Sequence, residues 1–328
     1  MLDGVLLLVG IALLIAGGEL LVRGASSLAE ILGISPLIIG LTIVAFGTSA
    51  PELSVNIAAA IKGSTDLSFG NIIGSNIANI GLILGIAALM KPLKVRSTVI
   101  VREIPMMILA SAAAIVVSLD RVLRSGQGLF DRSDALLLLL FFCVFLFYNI
   151  SDALKGRGQD SYPGQTGREA GAHDERTVWM PLIMSLAGLV VLALAGRLTV
   201  SSAAGLARAL SISEAFIGLF LVAVGTSLPE LVTSVIAAAR NQSDLAIGNV
   251  VGSNIFNLLF VMGVTACVRP IPVPSQGMID LSVMAFLSIM LLPIAASGQR
   301  TISRLEGVLL LILYVTFIVW RGWASSLA

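Results

Sequence analysis

Ten near-continuous apolar runs, separated by short polar breaks, follow one another near residues 4–22, 36–61, 69–90, 104–119, 134–150, 179–196, 213–239, 245–267, 278–296 and 306–322. Their lengths bracket the roughly 20 residues that a helix needs to cross the hydrocarbon. The pattern predicts an all-α polytopic membrane protein with ten transmembrane helices. One long polar stretch interrupts it. Residues 151–177 carry Gly, Asp, Glu, Arg and Gln with His173, the sole histidine, and read as a flexible connector whose histidine is a solvated loop residue. The chain is expected to divide into residues 1–150, the connector 151–177, and residues 178–328, with five spans on each side.

The two halves are copies. Gly40 to Gly85 aligns without a gap on Gly218 to Gly263, 178 residues further on, with 22 of 46 positions identical. The same offset pairs Gly10 with Gly188, Gly18 with Gly196, and Lys91-Pro92 with Arg269-Pro270. Five is an odd number of crossings, so the second half must enter the membrane from the opposite side, and the repeat is inverted. The first run begins with Asp3 and passes into Glu19 without a small-x-small cleavage signal, so it is expected to stay as a helix.

Composition agrees with the pattern: 57% hydrophobic residues, 12% charged and a mean hydropathy of +1.01. A net charge of +1 gives no reason to invoke nucleic acid. Nothing calls for a cofactor or an obligatory protein partner, and a monomer in the lipid bilayer is expected. Placing the N-terminus outside puts twelve of the 20 basic residues on the cytoplasmic side, which favours a cell (inner) membrane protein with a cytoplasmic connector. Cys143 and Cys267 lie in apolar runs without CxxC spacing and read as core thiols.

Chemistry concentrates where the copies agree best. Gly47-Thr48-Ser49-x-Pro51-Glu52 matches Gly225-Thr226-Ser227-x-Pro229-Glu230, and Gly70-Asn71-x-x-Gly74-Ser75-Asn76 matches Gly248-Asn249-x-x-Gly252-Ser253-Asn254. Each proline removes an amide hydrogen and breaks its helix near the middle of a span. Backbone groups freed there must face protein, water or an ion. Thr48 and Glu52 share a helix face with Ser49 beside them, and the next span adds Ser75 and Asn79; the copy supplies Thr226, Ser227, Glu230, Ser253 and Asn257.

An oxygen-rich cluster without sulfur or histidine suits a hard cation such as calcium. A buried glutamate is ordinarily protonated or paired with a base. Here no Lys or Arg lies at the depth of Glu52 or Glu230, so a divalent cation is the expected counter-charge. Protons should compete at both acids. Asp66 and Asp244, each just before an apolar run, read as helix caps, and Glu19 and Arg197 as equivalent residues of opposite charge at the interface.

These two motif pairs, GTSAPEL with GNIIGSNIANI and GTSLPEL with GNVVGSNIFNL, make the chain resemble the cation/calcium exchanger superfamily, in its prokaryotic sodium/calcium exchanger branch. The resemblance covers nearly the whole length. It implies an antiporter that exchanges calcium for sodium by alternating access, with spans 2, 3, 7 and 8 enclosing the cation sites and spans 1 and 6 sliding. By the same resemblance, calcium binds the carboxylates of Glu52 and Glu230 and the carbonyls of Thr48 and Thr226. Sodium shares the glutamates and adds Ser49, Ser75, Ser227, Ser253 and the carbonyls of Ala45 and Ala223, with Asn79 and Asn257 lining the centre.

Relatives in that family place an aspartate at the position of Asn79 or Asn257, whereas both are asparagine here. Two carboxylates are neutralised by one calcium, while three sodium ions leave one positive charge in excess, and a calcium/proton exchanger is the alternative. A monovalent-cation or organic-solute carrier is a weaker reading. An intramembrane enzyme lacks support, since neither an HExxH nor a GxSxG motif occurs.

Overall fold

A computed structural model describes residues 2–119, 128–156, 178–209 and 223–326. The first half comprises α1 (Leu2–Leu32), the pair α2 (Pro36–Thr48) and α3 (Ala50–Lys62), α4 (Thr65–Met90), α5 (Val99–Ser118) and α6 (Arg132–Gly156). The second half comprises α7 (Trp179–Ala209), α8 (Ala223–Thr226), α9 (Leu228–Ala239), α10 (Ser243–Val268), α11 (Gly277–Ala296) and α12 (Arg304–Ser326). Among the described residues, eight helices are long and apolar enough to cross a membrane, and α2 with α3 forms a ninth span bent by 41°. The seventh expected run, 213–239, is described only from Ala223. Residues 151–156 of the expected connector continue α6, and the rest of it, with His173, lies outside the described residues.

The inversion is visible in the packing of α1 on α7. Gly10 lies against Thr199, Gly17 against Leu192, and Gly24 against Ser185, so numbers rise along one helix as they fall along the other. A Cβ on Gly24 would stand 2.7 Å from the backbone nitrogen of Ser185, so only glycine allows this antiparallel approach. Both helices outrun their predicted apolar runs, to Leu32 and Ala209.

Four short strands repeat the same logic. β1 (Leu93–Lys94) follows α4 and pairs antiparallel with β4 (Thr301–Ile302), between α11 and α12. Its equivalent β3 (Ile271–Pro272) follows α10 and pairs with β2 (Leu129–Phe130), between α5 and α6. The Ser111 and Ser288 hydroxyls meet at 3.2 Å between the equivalent helices α5 and α11.

Helices α4 and α10 form the centre, with 78% and 83% of their apolar windows buried against 17% for α12. Cys267 is half-buried, but Cys143 is exposed on α6, which corrects its reading as a core thiol. A lipid-facing surface is as apolar as a core, so an apolar run alone does not say which way a residue points. The capping expectation is also corrected. The caps are Ser64 and Gln242, while Asp66 and Asp244 stand inside the first turn, and Asp244 is drawn 3.5 Å from Arg96. Glu19 is half-buried beside Arg23 and Arg240, and Arg197 is exposed.

Candidate functional site

The site is built at two helix breaks. Ser49 separates α2 from α3 with φ −84° and ψ 3°, and Ser227 separates α8 from α9 with φ −88° and ψ 6°. Helical bonding resumes where the Leu53 amide donates to the Ser49 carbonyl at 3.1 Å and the Leu231 amide to the Ser227 carbonyl at 3.0 Å. Pro51 and Pro229 sit just inside the new helices, where a missing N–H costs little. Glu52 and Glu230 therefore occupy the first turns of two half-helices that begin inside the membrane. There the helix dipole favours negative charge.

Reciprocal hydrogen bonds bring the two acids together. Ser49 Oγ donates to Glu230 Oε1 at 3.0 Å, and Ser227 Oγ lies 3.4 Å from Glu52 Oε1, so each break serves the carboxylate of the other. Both glutamates are buried to 1% exposure. Ser227 Oγ also lies 3.2 Å from Ser75 Oγ, which joins α4 to the cluster. Asn79 Nδ2 donates to Asn254 Oδ1 at 3.1 Å, linking α4 to α10 across the centre.

Several buried polar atoms have no hydrogen-bond partner: Oε2 of Glu52 and of Glu230, Ser253 Oγ, Asn79 Oδ1, and both amide atoms of Asn257. Orphaned buried oxygens are costly unless something positive completes them. Among the described residues no group of three or more His, Cys, Asp or Glu side chains converges, so the two glutamates are the site's acids. The surplus consists mainly of hard oxygens, and it fits a hard cation as cargo.

The threonine hydroxyls also reach asparagines across the repeat. Thr48 Oγ1 donates to Asn249 Oδ1 at 3.1 Å, and Thr226 Oγ1 to Asn71 Oδ1 at the same distance, so each hydroxyl ties its helix break to an asparagine of the other half. The Ala45 carbonyl already accepts the Ser49 amide at 3.0 Å, with Thr48 Oγ1 at 3.4 Å. Ala223 opens α8, and its side chain lies outside the described set.

Two groups escaped the sequence reading as functional residues. Asn249 also donates to the Glu230 carbonyl at 3.3 Å and to Ser234 Oγ at 2.9 Å, so it fixes the second break from α10. Asn76 and Asn254 direct Nδ2 toward the sulfurs of Met284 and Met107 at 3.7 and 3.4 Å, tying the centre to α11 and α5. The doubled asparagine motif was the available signal. The π-helical turns at Asn79–Leu84 and Phe256–Val261 had none, although such turns often mark functional sites.

Comparison with known proteins follows this geometry. The family described as sodium/calcium exchanger protein matches residues 3–151 and 180–323, which is most of both halves. The chain belongs to the sodium/calcium exchanger family. The exchanger is 37% identical over 327 residues to the inner membrane protein YrbG of Escherichia coli strain K12, covering 98% of this chain and 97% of that one. It is 34% identical over 342 residues to the sodium/calcium exchanger MaX1 of Methanosarcina acetivorans, covering 96% and 97%. Its fold is similar to a solved structure of the sodium-calcium exchanger NCX_Mj with a TM-score of 0.82 at 31% identity, over 97% of this chain and 98% of that chain. Membership makes this protein a multi-pass membrane exchanger, a transporter and not an enzyme.

Proposed function

We propose that the exchanger moves calcium against sodium by alternating access, with both ions competing for one site between the two helix breaks. The observation that carries this reading is the reciprocal bonding of Ser49 to Glu230 and Ser227 to Glu52, which leaves one unpartnered oxygen on each acid. Calcium takes the carboxylates of Glu52 and Glu230 with the carbonyls of Thr48 and Thr226. Sodium ions use the same glutamates and threonine carbonyls, with Ser49, Ser75, Asn79, Ser227, Ser253, Asn257 and the carbonyls of Ala45 and Ala223. Two acids cannot hold both cargoes at once, and an empty site would leave two uncompensated charges, so movement of the unloaded carrier is disfavoured.

In this reading residues 1–150 and 178–328 are the two working repeats, joined by the connector. The protein acts as a monomer in the cell membrane with its N-terminus outside, as basic-residue placement and similarity to an inner membrane protein support.

The test is calcium-45 uptake into vesicles containing the purified protein. An outward sodium gradient is expected to drive uptake at least tenfold above the gradient-free rate, and a pH gradient alone to leave it unchanged. Asparagine at both 79 and 257 favours the proton-coupled reading as the runner-up, and uptake driven only by the pH gradient would establish it instead. Uptake with neither gradient, at the same rate, would reject exchange altogether.

Protons bind the same carboxylates as calcium, so protonation removes the charge the metal needs. Apparent calcium affinity should therefore fall as pH is lowered. Isothermal titration from mildly alkaline to mildly acidic pH checks this, and an unchanged Kd counts against shared carboxylates.

A further inference from the structure

The two repeats match in sequence but stand in different arrangements. On one side α1 lies flush on α9: a Cβ at Gly18 would come within 2.8 Å of Ile236 Cδ1 and 2.9 Å of Val232 Cγ1. On the equivalent side, the nearest atoms to a Cβ at Gly196 are the Gly225 carbonyl oxygen at 3.9 Å and the Pro229 ring. There α7 touches α2 at Gly47, which lies against Leu189, but a crevice of about 590 Å³ opens beyond this contact, and in it Ala193 and Arg197 face Ala50, Pro51 and Ser54.

The charges flanking these two contacts are not equivalent. Next to Gly18, Glu19 accepts Arg240 Nε at 2.8 Å, just beyond the end of α9, and it also holds Arg23. The residues related to Glu19 and Arg240 by the repeat are Arg197 and Lys62. An inverted-repeat carrier reaches its second conformation when the halves exchange arrangements. That exchange would seat Gly196 flush on α3 and bring Arg197 toward Lys62. One closure is sealed by opposite charges, and its mirror image confronts like charges.

We propose that the Glu19–Arg240 pair is a one-sided latch that makes the two access states unequal, holding α1 against α9 while repulsion between Arg197 and Lys62 opposes the mirror closure. This rests on the alternating-access reading. The bias acts on the carrier itself, so it sets how readily each face opens without altering the ion site.

The test uses full-length protein with Cys143 and Cys267 replaced by serine and spin labels on Ser201→Cys in α7 and Ile61→Cys in α3. Pulsed electron resonance then reads a long separation for the open crevice and a short one for its closure. Glu19→Gln is expected to raise the ratio of short to long separations about two- to fivefold, the range measured for exposed ion pairs. Arg197→Glu, which leaves α1 untouched and would pair with Lys62, should raise it as well. A wild-type ratio in either variant, a fall in either, or a single separation throughout overturns the latch.

No transported ion is needed for this measurement. Shifted populations with no calcium uptake in vesicles would uphold the latch while rejecting the calcium reading. Gradient-driven uptake with unshifted populations would do the reverse.

Discussion

Glu52→Gln is expected to abolish calcium uptake in reconstituted vesicles, and Glu230→Gln to do the same, each lowering it at least about a hundredfold. The site has two acids among the described residues, and a divalent ion needs both charges to repay its lost hydration. Glutamine has the same shape and keeps an oxygen that can accept the serine hydroxyl now bonded to each carboxylate. The fold should therefore survive. An ionised side chain at the bilayer centre costs on the order of 2.5–3.5 kcal/mol, so the ion-free variants should unfold at the same temperature as the parent or higher. Thermal melts by size-exclusion fluorescence separate this from misfolding. Uptake within twofold of wild type in either variant, at unchanged expression, would show that the acid is not part of the calcium site.

Gly252→Val is expected to prevent accumulation of folded protein. A Cβ at this position would stand 2.8 Å from both Cα and the carbonyl oxygen of Leu41, and 2.9 Å from Ala45 Cβ. One turn earlier, a Cβ at Gly248 would lie 2.8 Å from the Leu37 carbonyl oxygen. These obstacles are backbone atoms of α2, which cannot change rotamer, so α10 must move away. Overpacking costs about 1–3 kcal/mol even for small additions, and alanine here should lower the melting temperature measurably. The same displacement pulls Asn249 from Thr48, now 3.1 Å apart, and uncouples α10 from the first helix break. Wild-type melting and uptake in Gly252→Val would contradict this close crossing.

Much of the fold was legible because membrane helices announce themselves by length and apolarity. Thr65–Met90 and Ser243–Val268 lie within a few residues of their apolar runs. The ends of α1 and α7 were not legible. Past Val22 the chain carries Arg23, Ser26 and Ser27, which reads as a boundary. Yet α1 continues to Leu32, because antiparallel packing on α7 supports the helix beyond its apolar part. Burial was equally hidden. Leu8, at 70% exposure, and Leu21, fully buried, stand in the same apolar run, and only the neighbouring helices distinguish them.

For the candidate site, the residue types and their pairing were readable, and their division of labour was not. A proline three residues after threonine, beside an acid, predicts a break wherever it occurs in a span. That Ser49 serves Glu230 and not Glu52 is a contact across 181 positions, which local spacing cannot encode. The bonds from Thr48 to Asn249 and from Thr226 to Asn71 are of the same kind.

Amino-acid order alone established an inverted pair of helical halves, each broken at a proline beside one buried acid, because hydropathy, helix-breaking chemistry and repetition are properties of the chain itself. Tertiary structure decided which oxygens remain unpartnered, which glycines let helices touch, and which of two equivalent contacts is closed. Those outcomes depend on distances between segments far apart in sequence, and packing sets them only once both halves have come together.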